Sequence, residues 1–179
     1  MLWEIIAVGA FIILMVLGKI RKTSLFGPFI IGIIIGIWWE ITAETDFNYT
    51  GFSIYIWKDV PLAIIVLWGI TIAGYILISD FFQEKIPIFK KGKKSELKNC
   101  LFWDVSIASL FGVSMELLGS KLFSMWTYPS TSEITLYNLP IRWLVGWVYV
   151  GLFNLAFIRR YGDFFEIKWM KRKIEQPKK

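Results

Sequence analysis

The sequence predicts an all-α membrane protein: a polytopic helical bundle of five spans, two of them paired into each of two helical-hairpin repeats of like orientation, with one extra N-terminal span. Three observations lead there. Of 179 residues, 56% are hydrophobic and 19% charged, with ten Trp and fifteen Phe, a composition that suits lipid better than water. Seventeen of the twenty Lys and Arg fall within residues 19–22, 85–98 and 159–179, the bias expected of cytoplasmic loops. The third observation is a recurring spacing. Glu40 follows Gly36 by four residues and Trp68 lies seven beyond Pro61; Glu116 follows Gly112 by four and Trp147 lies seven beyond Pro140. The glutamate-to-proline gaps are 21 and 24 residues, so the copies differ by a three-residue insertion.

The first span covers residues 2–18, apolar except for Glu4 and followed by Lys19, Arg21 and Lys22. It lacks a basic leader and a small-residue cleavage site, and reads as a retained anchor. Residues 25–43 form the second span. Gly32, Gly36, Glu40 and Glu44 recur every four residues and share one helix face. The two glycines make a small-xxx-small pair that lets another helix pack closely, and in a transport subunit they would dock a partner's helix. Glu40 is the costly residue: a carboxylate within a span costs ~2.5 kcal/mol or more unless it is paired, hydrated or protonated.

Residues 44–60 are polar and aromatic, with Phe47, Asn48, Tyr49, Phe52, Tyr55 and Trp57, as an aromatic belt or a lid over a cavity would be. Pro61 opens the third span, 61–79, in a first turn where its missing N–H costs nothing. Residues 80–99 carry six lysines and read as a solvated loop against anionic lipid. The fourth span, 100–125, holds Asp104 near one end and Glu116 deep inside, with Ser109, Gly112, Ser120 and Ser124 on the face of Glu116. Glu116 lies nine residues from Met125, ~13 Å along a helix and close to mid-bilayer. A second aromatic loop, with Trp126, Tyr128 and Tyr137, leads to the fifth span, 140–158. That span carries Arg142, placed to pair with Glu116 or Glu133 or to anchor at the surface, and Asn154 within. The tail, 159–179, mixes Phe164, Phe165 and Trp169 with lysines, as an interfacial helix does. This arrangement makes a single integral domain of the cell membrane, N-terminus outside and C-terminus cytoplasmic.

Composition excludes several chemistries. There is no His, hence no His-based proton relay or His metal site, and the lone Cys100 permits neither a disulfide nor a thiolate cluster. The net charge of +6 is confined to loop segments, without base-reading elements, so nucleic acid is not an expected partner. No metal or cofactor is expected. What remains is acid–base chemistry by carboxylates. Glu40, Glu116 and Glu44, facing one greasy cavity, would act as Brønsted acids, since a carboxyl group buried without a basic partner holds its proton. Protonation of an alkene gives a carbocation that Trp and Tyr faces stabilise. Tyr49, Trp57, Trp68, Trp126, Tyr128, Arg142, Trp147 and Asn154 are the candidate substrate-binding residues.

Gly36-x3-Glu40, the loop with Phe47, Tyr49 and Tyr55, and Val60-Pro61-Leu62 with Trp68 resemble the first half of the carotenoid biosynthesis membrane proteins that include bacterioruberin-type hydratases. Glu116-Leu-Leu-Gly, Trp126-Thr-Tyr128, and Tyr137-Asn-Leu-Pro140 with Trp147 resemble their second half. The Trp-x-Tyr loop and the Leu-Pro-Ile entry are also similar to small membrane-bound lycopene cyclase domains. Those domains carry paired acids just after the proline, where this chain has Arg142 and Trp143, and Ala63 and Ile64 in the first copy. The resemblance implies a hydrophobic polyisoprenoid ligand. Two other expectations stand beside an enzyme of that kind: a substrate-capturing membrane subunit of a vitamin-type uptake system, and an assembly protein whose acids serve packing. Both involve a partner membrane protein or a homo-oligomer.

Overall fold

The computed structural model describes residues 2–42, 47–86, 88, 93–128, 134–137 and 139–155. The described residues form five α-helices: α1 (Leu2–Arg21), α2 (Phe26–Thr42), α3 (Leu62–Lys85), α4 (Lys93–Leu117) and α5 (Ile141–Tyr149). Two π-helical stretches extend α4 and α5, Leu118–Leu122 and Val150–Leu155. Among the described residues three helical stretches are long and apolar enough to cross a membrane, Leu2–Arg21, Leu62–Lys85 and Lys98–Leu122; Phe26–Thr42 and Ile141–Leu152 are apolar but shorter.

The helices depart from the expected spans at their ends. α3 runs on through Asp80 to Lys85, and α4 already begins at Lys93, so the expected 80–99 loop is mostly helix. Both extensions are rich in residues that favour helix, and α3 stops where Pro87 disfavours a helical conformation for Ile86. The fourth helix ends at Leu122 rather than Met125. Ser124 takes a left-handed φ of 49° and leaves the face it was expected to share with Glu116. Pro61 and Pro140 sit just before α3 and α5 as extended N-cap residues, outside the first turn. The expected spans 25–43 and 140–158, the 44–60 loop, Glu44, Glu133 and the tail 159–179 fall partly or wholly outside the described residues.

The inter-helix loops are not featureless. Strands β1 (Asn48–Tyr49) and β4 (Trp126–Thr127) pair antiparallel, Asn48 opposite Thr127 and Tyr49 opposite Trp126, and so tie one aromatic loop to the other. Strands β2 (Tyr55–Trp57) and β3 (Val60–Pro61) form a small hairpin before α3; β5 (Thr135–Leu136) and β6 (Leu139–Pro140) form its counterpart before α5. Their turns carry left-handed residues at Lys58 and Tyr137.

α2 packs along α3, α3 along α4, and α4 along α5, while α1 lies against α3. Small residues set how closely they approach. A Cβ on Gly32 would lie 2.9 Å from Gly69 Cα and Ile72 Cβ, and one on Gly36 would lie 2.5 Å from Trp68 Cβ. These glycines thus give the close helix approach that their spacing predicts, against the chain's own α3, and the face on which a transport partner's helix would dock is occupied. α1 turns Ile5, Val8, Ile12, Ile13 and Val16 outward, an apolar face of the kind lipid would cover. At its start, Glu4 Oε1 accepts from the Ser53 and Ile54 amides at 2.6 and 3.2 Å, and Trp3 packs on Phe52 and Phe123. The first helix thus holds both aromatic loops over the bundle.

Candidate functional site

The core is built of aromatic side chains around two acids. Glu40 comes from the last turn of α2 and Glu116 from the last turn of α4; they are 3% and 5% exposed and line one cavity. Trp39, Phe47, Tyr49, Trp68, Trp126, Trp143 and Trp147 wall it, with Thr71, Met115 and Val150 among the rest. The cavity measures ≈ 60 Å³, several times the ~10–15 Å³ that one water needs.

Each carboxyl group is held by the aromatics of its own half. Trp68 Nε1 donates to Glu40 Oε1 at 2.7 Å, and the Tyr49 hydroxyl bonds Glu40 Oε2. Trp147 Nε1 donates to Glu116 Oε1 at 3.1 Å, and the Tyr128 hydroxyl bonds Glu116 Oε2. Trp126 adds a further N–H, 3.3 Å from Glu116 Oε2 and 3.2 Å from the Tyr128 oxygen. An indole nitrogen only donates, so both Oε1 atoms must accept. At Glu40 a carboxyl proton therefore belongs on Oε2, where the phenol can accept it and turn its own hydrogen elsewhere; at Glu116 an indole N–H reaches both oxygens. Burial first, and the neighbouring carboxylate next, keep the Tyr49 and Tyr128 hydroxyls above the usual phenol range, so they serve as phenols and not as bases.

The same contacts recur at fixed spacing. Gly36 and Gly112, and Glu40 and Glu116, lie 76 positions apart; Tyr49 and Tyr128, Lys58 and Tyr137, Pro61 and Pro140, Trp68 and Trp147 lie 79 apart. A Cβ on Gly112 would overlap the Trp147 ring, as one on Gly36 meets Trp68. The three extra residues thus fall between Glu116 and Trp126, the stretch that holds the π-helical turn. That turn widens the chain where Gly119 lies flat against the Trp126 ring. Opposed strand residues Asn48 and Thr127 are themselves 79 apart. Trp68 stacks on Trp147 with centroids 5.3 Å apart, and Phe47 meets Tyr128 as Trp126 meets Tyr49.

Not every expected residue reaches this cavity. Trp57 is 52% exposed in β2, because the hairpin turns its side chain away. Arg142 is exposed and lays its guanidinium over the outside of Trp143, 5.4 Å from the ring centroid, while Glu116 is bonded by aromatic donors instead. Glu44 and the Asn154 side chain lie outside the described residues. Phe47, of the expected lid, joins the wall, and so do Trp39 and Trp143, which were not expected to bind substrate. Trp143 stands four residues before Trp147 and Trp39 three after Gly36, helical spacings that put them on the same faces.

Comparison with protein-family models, curated proteins and solved structures finds no match to this chain. Its chemistry has to come from the site. Among the described residues no group of three His, Cys, Asp or Glu is placed to hold a metal ion. The side chains at hand are two carboxyl groups, two phenols and a set of indoles, a combination suited to moving protons and to facing positive charge.

Proposed function

We propose that this chain is a five-span protein of the cell membrane, an N-terminal span plus two duplicated helical hairpins of like orientation, with its N-terminus outside and its C-terminus cytoplasmic. We further propose that it is an enzyme acting on a long isoprenoid or carotenoid-like lipid. The observation that carries this reading is the pair of buried carboxyl groups, from corresponding positions, that meet across one aromatic-walled cavity. The resemblance to carotenoid biosynthesis membrane proteins points to the same ligand class.

In the proposed reaction a carboxyl group transfers its proton to one carbon of a C=C bond, whose π pair forms the new C–H bond. The other carbon becomes a cation, faced by Trp68, Trp147 and their neighbours. Water then adds and returns a proton to the carboxylate, giving an alcohol. Alternatively a neighbouring double bond closes a ring, or an adjacent C–H proton leaves, and the carboxylate recovers that proton. All three outcomes restore the acid.

Glu116→Gln keeps an acceptor for Trp147 and removes the transferable proton. In cells making polyene lipids, the variant should fold and accumulate yet leave the lipid profile, read by mass spectrometry, the same as without the protein. Wild-type product levels from a folded Glu116→Gln would end the enzyme reading.

One observation favours a second reading, a small-molecule binding subunit of an uptake system. A cavity of ≈ 60 Å³ admits a small ligand more readily than a long chain, which would need Trp39 or Trp143 to swing aside. Co-purification of a compact polar ligand and a transport ATPase would support it; a co-purified polyene would exclude it.

A further inference from the structure

The acids of the cavity are not the only buried polar groups. Twelve residues before Glu116 on α4, ~18 Å along the helix, Asp104 is 3% exposed. Ser79, wholly buried on α3, donates to Asp104 Oδ1, and Cys100 Sγ lies 3.7 Å from Oδ2. Gln83 Nε2 donates to Ser79 Oγ at 2.9 Å from the half-buried final turns of α3, near the lysine-rich end of the helices.

Along α3 the polar residues recur at every fourth position: Thr71, which lines the cavity, then Tyr75, Ser79 and Gln83. Four-residue steps keep them on one helix face, and that face is turned into the bundle. Tyr75 is wholly buried, its ring edge-on to Trp147 and Phe111, and its hydroxyl has no hydrogen-bond partner among the described residues. Packing alone would be served as well by Phe. A hydroxyl kept there, between a buried Asp–Ser pair and a pair of buried acids, calls for a role.

We propose that Asp104 with Ser79, held by Gln83, and then Tyr75 and Thr71 form a file that carries protons between the basic end of the helices and the carboxyl groups of the cavity. Successive members rise ~6 Å, a step that one hydroxyl side chain and one bridging water span. A proton from water adds to the Asp104 carboxylate. It passes to the Ser79 oxygen as that hydroxyl releases its own proton onward, and the exchange repeats at Tyr75 and Thr71 until a proton rests on Glu40 or Glu116. Nothing is oxidised or reduced. Asp104 faces Cys100 on its own helix and Ser79 on α3; Tyr75 packs against Phe111 of α4 and Trp147 of α5. On the loop side Phe47, Tyr49 and Trp126 close the cavity with rings. The file rests on the proposed function only in requiring that the cavity acids exchange protons; it does not depend on the ligand.

The test uses the full chain in lipid nanodiscs, without ligand. A rapid pH jump is followed by time-resolved infrared spectroscopy of the carboxyl C=O band, assigned by its loss in Glu40→Gln and Glu116→Gln. Tyr75→Phe and Ser79→Ala should each slow the band by roughly 100-fold, the worth of one positioned proton-transfer group, with an unchanged end-point. Ser79→Thr, which keeps a hydroxyl, should restore the rate. Should Tyr75→Phe fail to fold, Ser79→Ala and Asp104→Asn carry the measurement. Wild-type rates in these variants, or a carboxyl band indifferent to pH, would overturn the file. Failure of the enzyme reading is registered separately, by lipid profiles in Glu116→Gln.

Discussion

The two halves of the cavity are built to one plan and finished differently. In each, a glycine lets a tryptophan lie against the preceding helix, a glutamate one turn on accepts that tryptophan's N–H, and a tyrosine from the loop takes the other oxygen. The second half adds a donor: Trp126 stands where the first has Phe47, so Glu116 is held by three groups and Glu40 by two. Small and large residues also trade places. Gly32 admits Ile72 in the first half, whereas Ala108 meets Gly151 in the second. Close approach of the helices is kept while the residue that permits it changes sides, because the contact needs one missing Cβ and is indifferent to which helix supplies it.

This comparison can be broken most forcefully at the acids. Glu116→Leu removes the carboxyl acceptor of three donors, Trp126 keeping only the Tyr128 oxygen, and Glu40→Leu that of two; each donor left unpaired costs about 1–3 kcal/mol. Thermal unfolding in detergent should therefore show the larger loss for Glu116→Leu, and equal losses would refute the unequal donor count. Next come the glycines. Gly112→Ala and Gly36→Ala force a tryptophan off its helix at a cost of about 1–3 kcal/mol, heavier at Gly112, where the added Cβ would lie 2.0 Å from the ring against 2.7 Å at Gly36. A smaller effect sharpens the comparison: Trp126→Phe gives the second half the first half's residue. It should cost about 0.5–1.5 kcal/mol and bring the stability effects of the two glutamate variants together.

The mildest expected effect is alkaline. The folded Tyr49 and Tyr128 hydroxyls titrate above the ordinary phenol value of about 10 that they take when unfolded. Their contribution is intact below that pH and lost as pH rises past it, because the unfolded chain releases protons that the folded one keeps. Tyr49→Phe and Tyr128→Phe should each flatten the fall in melting temperature on the alkaline side. A slope unchanged in both would show that neither hydroxyl is buried against its glutamate.

Much of this was legible in residue spacing. Glu40, Glu116, Tyr49, Trp68 and Trp147 stand at positions where helical periodicity and matched spacing place them together, and the structure puts them around one cavity, with Tyr128 behind it on Glu116. The four-residue file from Thr71 to Gln83 was equally open to reading, but a tyrosine and a serine in an apolar helix carry no cost that draws attention, whereas a glutamate does. Trp57 turns away from the cavity and Arg142 takes the surface placement its sequence position left open, for a common reason: aromatic and basic residues near a helix entrance serve a surface as readily as a cavity, and only the turn of the hairpin decides which way they face.

Composition and period alone determined that the chain folds into apolar helices and that Glu40 and Glu116 occupy matched places, since burying a carboxyl group in a greasy helix demands partners and a helix repeats its faces at known intervals. Tertiary structure decided what those partners are. The pairing of β1 with β4 brings loops some 80 residues apart into register, and the glycine contacts bring indole N–H groups onto the carboxyl oxygens. Such bonds join residues far apart in the chain, at distances set by how closely the helices pack, and no local pattern encodes that separation.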